Sequence, residues 1–489
     1  MKNYEDYLNQ IGEVGYIQSI VHSVVYVTGL PGVKPREVVI AKDGQRGIVQ
    51  SILPNSVEVL MMETHGLVNN LPVARTGVDF EIPVSNEILG RVVDPFGQPI
   101  DGAGPIIGER VYRSIDSKAP GIIAREKVRA PLETGVSIVD LLVPVGYGQR
   151  ELVIGDKKTG KTTFLLQTIA SQAAKGMVCV YASIGKRQSD IKNVESYLRK
   201  TNAFQNTVIV AANAAASASI VYLAPFSACA IAEYFRDCGY NVIIVYDDLT
   251  NHAKFYREIS LLSKRAPGRS SYPGDIFHLH AALLERAGNI KTSSGKAVSI
   301  TALPVAETLE GDITGYIQTN LMAITDGHIF FDIDEFRKGK RPAINHALSV
   351  SRVGNQTKSP LERELSNILR EALSAYQKDL EIARFGVELP ENTKKEIDLG
   401  EKIEAVLNQD SDTLTPSKLG LMYLGLLLAG YWGDKKAEML RVDLIKLASK
   451  YRQGFFKEIE KNLETVKNTD ELFKLMKKFV TRVTEALYV

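Results

Sequence analysis

The spacing of hydrophobic residues changes twice along the chain, and it predicts three regions with different architectures. In residues 1–85, short runs rich in Val and Ile are separated by Gly, Pro and Asp, a pattern typical of a small β-barrel. In residues 86–358, strand-length apolar runs alternate with helical segments, which indicates an α/β domain with a mainly parallel sheet. In residues 359–489, Leu recurs at three- and four-residue spacing among mixed charges, which predicts an α-helical domain.

The same pattern predicts the individual strands. Barrel strands are expected within residues 14–30, 37–41, 45–53 and 56–62. Strands of the central sheet are expected at residues 151–154, 177–182, 207–211, 241–246 and 298–303.

The charge balance and the apolar content of the chain bear on nucleic acid and membranes as partners. Lys and Arg number 59 against 57 Asp and Glu, a net charge of +2, and this balance gives no electrostatic case for binding nucleic acid or an anionic membrane surface. The uncharged apolar stretch 419–433 has 15 residues, short of the roughly 20 that span a bilayer. It predicts a buried helix and no direct membrane insertion.

Cys179, Cys229 and Cys238 form no CxxC motif, and their surroundings predict buried thiols.

The strongest local motif fits GxxxxGK[ST] without a mismatch. Its residues are Gly155, Asp156, Lys157, Lys158, Thr159, Gly160, Lys161 and Thr162, followed by Thr163. An apolar strand precedes the motif and a helical segment follows it, which is the arrangement of a phosphate loop. Backbone amides at the start of the helix favour an anion. Lys161 is predicted to reach the β- and γ-phosphates, and the Thr162 hydroxyl to bind Mg²⁺.

Two carboxylates, Asp247 and Asp248, end the apolar run that begins at residue 241. A phosphate loop needs a second acidic group near its metal ion, and an apolar strand ending in Asp is the usual form. Asp247 follows the apolar run directly and is predicted to bind Mg²⁺, with Asp248 as the alternative. Asp248 is also suited to cap the helix that follows.

Several short segments carry a more specific signal. They are GRVVD at 90–94, PIDG at 99–102, KRAPGR at 264–269, SYPGDIF at 271–277, LLERA at 283–287, SITALP at 299–304, ITDG at 324–327, RPAIN at 341–345 and SVSRVG at 349–354. Together they resemble the alpha subunit of F-type ATP synthases, and RPAIN and SVSRVG are unlike the beta pattern. The resemblance covers nearly the whole chain.

This resemblance implies a multidomain fold with an N-terminal β-barrel, a central RecA-like P-loop domain and a C-terminal α-helical bundle. It implies ATP or ADP and Mg²⁺ as ligands, and a hexameric ring in which three beta subunits alternate with this chain around gamma. It further implies that a peripheral-stalk or delta subunit contacts the N-terminal region. Other subunits would hold the complex at the cytoplasmic face of the inner membrane, where an ion gradient drives ATP synthesis.

Lys186 argues against catalysis by this chain itself. Hydrolysis on this fold needs a carboxylate that positions the attacking water, and the catalytic beta subunit carries Glu at the matching position. Asp190 and Glu195 are nearby but belong to the next helical segment. Lys158 and Lys186 also depart from the Gln that is common in alpha subunits. These two changes either strengthen nucleotide binding or replace part of the Mg²⁺ charge.

The resemblance assigns roles to five further residues. Arg352, in SVSRVG, is expected to act as an arginine finger in the catalytic site of a neighbouring beta subunit, and an interface salt bridge is the alternative. Phe336, Arg341 and Pro342 are expected to form the base pocket. Gln409 resembles the first of two glutamines that face adenine, although an ordinary surface position is the alternative.

The N-terminal region has only about a dozen residues before the first predicted strand. Tyr4, Tyr7, Leu8 and Ile11 are expected to form one short apolar face, and isolated helices shorter than about 12 residues are marginal. We therefore expect weakened or altered docking of the stalk subunit.

Two other functions compete with the alpha-subunit hypothesis. An RNA-dependent hexameric helicase also joins a small barrel to a RecA-like domain, but it requires a catalytic Glu and stacking aromatics in a basic barrel. A stand-alone P-loop ATPase requires the same Glu, where this chain has Lys186.

Overall fold

The computed structural model describes residues 3–292, 295–383 and 389–488. Expectations that touch residues 1–2, 293–294, 384–388 and 489 lie outside the described residues. The chain divides into two compact units. The first contains the residues up to Lys127, Leu152–Ile154 and Ala173–Thr325, and the second contains Val128–Glu151, Gly155–Gln172 and the residues from Asp326 onward. The domain boundaries at residues 85/86 and 358/359 stay a prediction.

A closed six-stranded antiparallel barrel opens the first unit, as the Val- and Ile-rich runs predict. Its strands are Val14–Val21, Val24–Thr28, Glu37–Ala41, Arg46–Ile52, Val57–Met61 and Pro72–Asp79. Alternate residues such as Val57, Val59 and Met61 are buried in its apolar core, because successive side chains of a strand point to opposite faces. The sixth strand, Pro72–Asp79, was not singled out from the sequence.

The helix Tyr4–Ile11 precedes the barrel. Asn3 caps it, since the Asn3 side chain accepts a hydrogen bond from the Asp6 amide and the Asp6 carboxylate accepts one from the Asn3 amide. Tyr4 is buried against Ile40 and Ala74 of the barrel, and Tyr7 and Leu8 pack against the same cluster. The predicted apolar face of this short helix is therefore buried against the barrel.

A sheet of parallel strands forms the α/β part of the first unit. In spatial order it contains Ala297–Glu307, Val242–Asp247, Val178–Lys186, Thr207–Asn213 and Val92–Val93, and Gly288–Lys291 pairs antiparallel with the first of these. The helices of this part are Gln188–Lys200, Ala218–Asp237, Leu249–Leu262, Ile276–Glu285 and Tyr316–Ile324, with short 3-10 turns at Asn86–Ile88, Ile122–Ala124, Phe204–Asn206 and Arg269–Ser271. Strands Glu81–Val84 and Val111–Ser114 form a separate pair.

Helix Ala218–Asp237 has a mean hydropathy of 1.4 over its most apolar window and is long enough to cross a membrane. The prediction of no membrane insertion rested on the stretch 419–433 alone and missed this helix. Within the fold, 83% of that window is buried, which is typical of the core helix of a packed domain. Cys179 and Cys229 are buried as predicted, whereas Cys238 is exposed, because it lies at the carboxyl end of this helix.

The second unit is mainly helical. Its helices are Ser137–Leu142, Lys161–Ala173 (of which Ala173 belongs to the first unit), Ile333–Arg337, Pro360–Ala383, Glu391–Leu407, Ser417–Leu428, Ala437–Arg452, Lys457–Leu463, Thr469–Lys478 and Val480–Tyr488. Short strands pair as Pro131–Leu132 with Val145–Gly146 and as Gly327–Phe331 with Val350–Ser351, and a 3-10 turn spans Gly354–Thr357. Leu361, Leu365, Leu369 and Leu373 are buried at four-residue spacing, which confirms the predicted helical periodicity.

These elements confirm the predicted fold class. The chain combines an N-terminal β-barrel, a central α/β region and a C-terminal helical region.

Candidate functional site

The predicted phosphate loop lies between the buried strand Glu151–Gly155 and the helix Lys161–Ala173. The loop needs glycine at Gly155, where φ is +154° and a Cβ would collide with the carbonyl oxygen of Phe331. Gly160 has φ +104°, and its nearest potential contact, Phe331 Cε1, is 4.0 Å away. Both backbone conformations are unfavourable for residues with a Cβ, so local geometry explains both glycines of the motif.

Lys161 folds back over this loop. Its buried ammonium donates to the carbonyl oxygens of Gly155 at 2.8 Å and Asp156 at 2.6 Å. The Thr159 hydroxyl donates to the Asp156 carbonyl at 2.7 Å. These bonds close the loop around the start of the helix, where unpaired backbone amides and the helix dipole favour a phosphate.

The outer side of the loop is open to solvent. Lys157, Lys158 and Thr162 are exposed, and Thr163 is half-buried. Lys158 occupies the left-handed region with φ +65°. The predicted phosphate-binding residues are thus contiguous on one loop and on the first turn of one helix, with two exposed ammonium-bearing side chains beside them.

The residues predicted for the base pocket also come together. The Arg341 guanidinium carbon lies 3.7 Å from the centre of the Phe336 ring, and its Nη1 donates to the Phe336 carbonyl at 2.9 Å. Pro342 follows Arg341, and the backbone amide of Gln409 donates to the Arg341 carbonyl at 2.6 Å. A planar, charged stack of this kind is suited to contact with an aromatic base.

Gln409 is not a surface residue, because only 8% of it is exposed. Its side-chain nitrogen donates to the carbonyls of Gly135 and Thr413, at 2.7 and 2.6 Å, and its side-chain oxygen accepts from the Ser137 amide at 3.2 Å. The surface alternative is therefore wrong. In this structure the Gln409 side chain links the backbone at Gly135 and Ser137 to the backbone at Thr413.

In the first unit, Lys186 and the carboxylates Asp247 and Asp248 form an ion-pair cluster. Strands Val178–Lys186 and Val242–Asp247 are parallel neighbours with Ser183 opposite Asp247, so their carboxyl ends meet at the same edge of the sheet. The Lys186 ammonium lies 2.8 Å from Asp247 Oδ1, 2.8 Å from Asp248 Oδ2 and 3.9 Å from a Glu307 carboxylate oxygen.

The remaining carboxylate oxygens of the two aspartates also have partners. The Tyr181 hydroxyl donates to Asp247 Oδ2 at 2.5 Å. The Asn251 amide donates to Asp248 Oδ1 at 2.6 Å, which confirms Asp248 as the cap of helix Leu249–Leu262. Burial alone would lower the pKa of Lys186, but the charges of Asp247 and Asp248 outweigh burial and raise that pKa above its ordinary value. Lys186 is therefore protonated throughout the physiological range.

Asp190 and Glu195 do not join this cluster. Both lie on helix Gln188–Lys200. Asp190 pairs with Arg187 at 3.2 Å, and Glu195 pairs with Arg199 at 2.8 Å. The expectation that these carboxylates are poorly placed to replace a missing catalytic Glu agrees with their pairing.

Arg352 follows the short strand Val350–Ser351, and its amide donates to the Asp326 carbonyl at 3.1 Å. This backbone bond fixes where the side chain leaves the fold. The side chain is exposed, and within residues 3–292, 295–383 and 389–488 the structure gives its guanidinium no hydrogen-bond or ion-pair partner. Such a position leaves the guanidinium accessible to another molecule.

Sequence reasoning missed three residues that contact the ion-pair cluster of Lys186, Asp247 and Asp248. Tyr181, Asn251 and Glu307 are far from one another in the chain, and no motif marks them. Glu307 ends its strand, which is where ligands of parallel sheets usually lie, and Asn251 lies at the start of the helix after Asp248. Tyr181 lies inside its strand, and its position gives no such signal.

Comparison with known proteins agrees with these features. The family model described as "ATP synthase alpha/beta family, nucleotide-binding domain" matches residues 135–351, and the model "ATP synthase alpha/beta chain, C terminal domain" matches residues 356–483.

Relatives with the name "ATP synthase subunit alpha" match over most of both chains. The protein from Dictyoglomus turgidum is 41% identical over 447 residues, covering 91% of this chain and 87% of its own. The protein from Neorickettsia sennetsu is 39% identical over 460 residues, covering 92% and 89%. The protein from Staphylococcus aureus is 41% identical over 436 residues, covering 89% and 86%. The chain therefore belongs to the ATP synthase alpha/beta family, in its alpha-subunit branch.

Proposed function

We propose that this chain is a non-catalytic, nucleotide-binding subunit that alternates with beta subunits in a hexameric ring around gamma. Membership in the family makes it a nucleotide-binding, peripheral part of the ATP synthase complex, associated with other subunits of that enzyme. The observation that carries the non-catalytic assignment is the Lys186 ammonium, held 2.8 Å from both Asp247 and Asp248.

The chemistry of lysine explains why this site is silent. Hydrolysis on a P-loop fold requires a group that accepts a hydrogen bond from the attacking water and orients it. A protonated lysine has three donors and no acceptor. With Lys186 bound to two carboxylates, water at this point has no base, so nucleotide remains bound and serves structure or regulation.

The binding of ATP or ADP is assigned to the second unit. The loop Gly155, Asp156, Lys157, Lys158, Thr159, Gly160, Lys161 and Thr162, with Thr163, offers backbone amides and ammonium groups to the phosphates. The stacked pair of Phe336 and Arg341, with Pro342 beside it, is assigned to the base. The backbone amide of Gln409 supports this pocket through its hydrogen bond to the Arg341 carbonyl.

The residues predicted to bind Mg²⁺ fit the ion only in part. When bound, Mg²⁺ neutralises phosphate charge and takes oxygen ligands in octahedral geometry. The exposed Thr162 hydroxyl is suited to that role. The Asp247 carboxylate would have to lose a present partner first, because Lys186 and Tyr181 engage its two oxygens. The pairing of Thr162 with Asp247 on one ion stays a prediction.

Arg352 is proposed as an arginine finger that acts in trans on a neighbouring beta subunit. Its exposed guanidinium and its fixed backbone support this role. Guanidinium is a planar donor suited to the charge that spreads over a phosphoryl group in the transition state. Together with the silent site of the chain itself, this assigns Arg352 to catalysis by the neighbour.

Replacing Arg352 tests the proposal. In a reconstituted alpha–beta–gamma complex, Arg352→Ala should lower ATP turnover by about 10³- to 10⁵-fold. Arg352→Lys should also lose most of its turnover, because an ammonium cannot reproduce the planar, paired donors of a guanidinium. Nucleotide binding by the isolated chain should stay at the wild-type value. Arg337→Ala, at an exposed arginine that pairs with the nearby Asp334, is the matched control. Normal turnover with Arg352→Ala would refute the assignment.

The partners at the barrel and at the membrane are also proposals. A peripheral-stalk or delta subunit is assigned to the N-terminal region, and other subunits are assigned to hold the complex at the cytoplasmic face of the inner membrane. Burial of Tyr4 against the barrel, with Tyr7 and Leu8 packed beside it, supports weakened stalk docking through this helix.

A further inference from the structure

Asp326 holds the backbone from which the Arg352 side chain leaves the fold. Its carbonyl accepts a hydrogen bond from the Arg352 amide at 3.1 Å. The next residue, Gly327, pairs with Ser351 in the short antiparallel strands. The exposed Arg352 side chain therefore starts from a peptide unit whose position depends on Asp326.

Arg150 in turn fixes Asp326 through four hydrogen bonds within the second unit. The guanidinium donates from Nε to Asp326 Oδ2 at 3.1 Å and from Nη2 to Oδ1 at 2.7 Å. The Arg150 amide donates to Oδ2 at 2.9 Å, and the Asp326 amide donates to the Arg150 carbonyl at 2.8 Å. An arginine that binds both oxygens of a carboxylate fixes its orientation as well as its distance.

The residue before Arg352 is anchored to the same part of the chain. Ser351 is buried, and its hydroxyl donates to the Pro144 carbonyl at 2.6 Å and accepts from Gln149 Nε2 at 3.1 Å. Residues 144–150 thus hold the backbone both at Ser351 and, through the pair of Arg150 and Asp326, at the Arg352 amide.

We infer that Arg150 is a positioning residue for the catalysis in trans proposed for Arg352: through Asp326, it sets where the Arg352 guanidinium lies outside this chain. The inference rests on the proposed function and goes beyond it. A group that acts on a transition state requires accurate placement, since a misplacement of about 1 Å costs on the order of 10²-fold in rate. Without the Arg150 guanidinium, the Asp326 carboxylate keeps only the bond from the amide of residue 150.

The test measures steady-state ATP turnover by the reconstituted alpha–beta–gamma complex. Arg150→Ala should lower kcat by about 10- to 100-fold. KM should stay within about threefold of the wild type, because losing an interaction made only in the transition state lowers kcat and kcat/KM together. Arg150→Lys should also lower kcat, because an ammonium cannot reproduce the paired donors of a guanidinium. Wild-type kcat with Arg150→Ala would overturn the inference.

A double variant separates positioning from general damage to the subunit. If Arg150 acts through Arg352, adding Arg150→Ala to Arg352→Ala should lower turnover by no more than about twofold beyond Arg352→Ala alone. A further loss of tenfold or more would overturn the inference, because Arg150 would then act by another route. Wild-type turnover with Arg352→Ala alone would instead refute the proposed function, so the two failures are distinguishable.

Asp326→Asn provides the test if Arg150→Ala does not fold. It keeps the shape of the side chain but replaces one of the two acceptor oxygens with a donor, so it should lower kcat by about tenfold with little change in KM. Unchanged kcat would overturn the inference. Arg482→Ala removes another arginine of the second unit, which pairs with Glu458 at 2.8 Å, and it is the matched control that should keep wild-type turnover.

Discussion

Gly155→Ala should damage the phosphate loop through a clash between backbone atoms. A Cβ at this position would collide with the Phe331 carbonyl oxygen and lie 2.7 Å from Phe331 Cβ. Neither atom is the end of a flexible side chain, so the strand Gly327–Phe331 has to move. The variant also places a side chain at φ +154°, a conformation that residues with a Cβ rarely adopt.

The size of the effect follows from two contributions. Forcing a residue with a Cβ out of its favoured backbone region costs about 1–2 kcal/mol, and overpacking costs a further 1–3 kcal/mol or so. Gly160→Ala separates these contributions, because Gly160 also has positive φ (+104°) but its new Cβ meets nothing closer than Phe331 Cε1 at 4.0 Å. Gly155→Ala should therefore be less stable than Gly160→Ala by about 1–3 kcal/mol.

Scanning calorimetry of the full-length chain measures this difference. At about 2–4 °C per kcal/mol for domains of this size, the midpoint of Gly155→Ala should lie at least about 2 °C below that of Gly160→Ala. If the two variants unfold at the same temperature, or if Gly160→Ala is the less stable one, the reasoning about the Phe331 carbonyl is wrong.

Two further predictions concern the first unit. Burial lowers the pKa of His252 to about 4 and that of His280 well below its usual 6.5. The folded state therefore favours the neutral rings. Their contribution to stability is complete above pH 6.5, and it declines as the pH falls toward 4. Urea midpoints should therefore drop between pH 7 and pH 5, and a flat profile would contradict this. Deleting residues 3–11, whose Tyr4 is buried on the barrel, should weaken attachment of the stalk subunit to the assembled complex only partly, and pull-down that shows complete loss would refute the prediction.

The parts of the fold that depend on local patterns could be predicted from the sequence. Four Val- and Ile-rich runs mark the stretches that contain five of the six barrel strands, although the run 14–30 was not divided into its two strands, Val14–Val21 and Val24–Thr28. The phosphate loop has both its motif and its strand–loop–helix context. Pro72–Asp79 escaped notice, because its apolar residues are interrupted by Arg75, Thr76 and Gly77. Its place in the barrel depends on pairing with distant strands, which no local pattern records.

The candidate site could be predicted only where a motif names its residues. Lys186 was recognised as the wrong residue for catalysis, but its pairing with both aspartates depends on the register of two strands separated by about 60 residues. Gln409 presents the same difficulty, because its burial depends on contacts with Gly135, far away in the chain. Contacts of this kind are tertiary and override what neighbouring residues suggest.

Turnover by the purified chain tests most directly whether this subunit binds nucleotide without hydrolysing it. Nucleotide binding and phosphate release should be measured on the same sample, with excess ATP and Mg²⁺. We predict saturable binding with phosphate release far below the roughly 1–10³ per second of ordinary enzymes. Multiple turnovers within that range by the isolated chain would show that Lys186 does not silence the site.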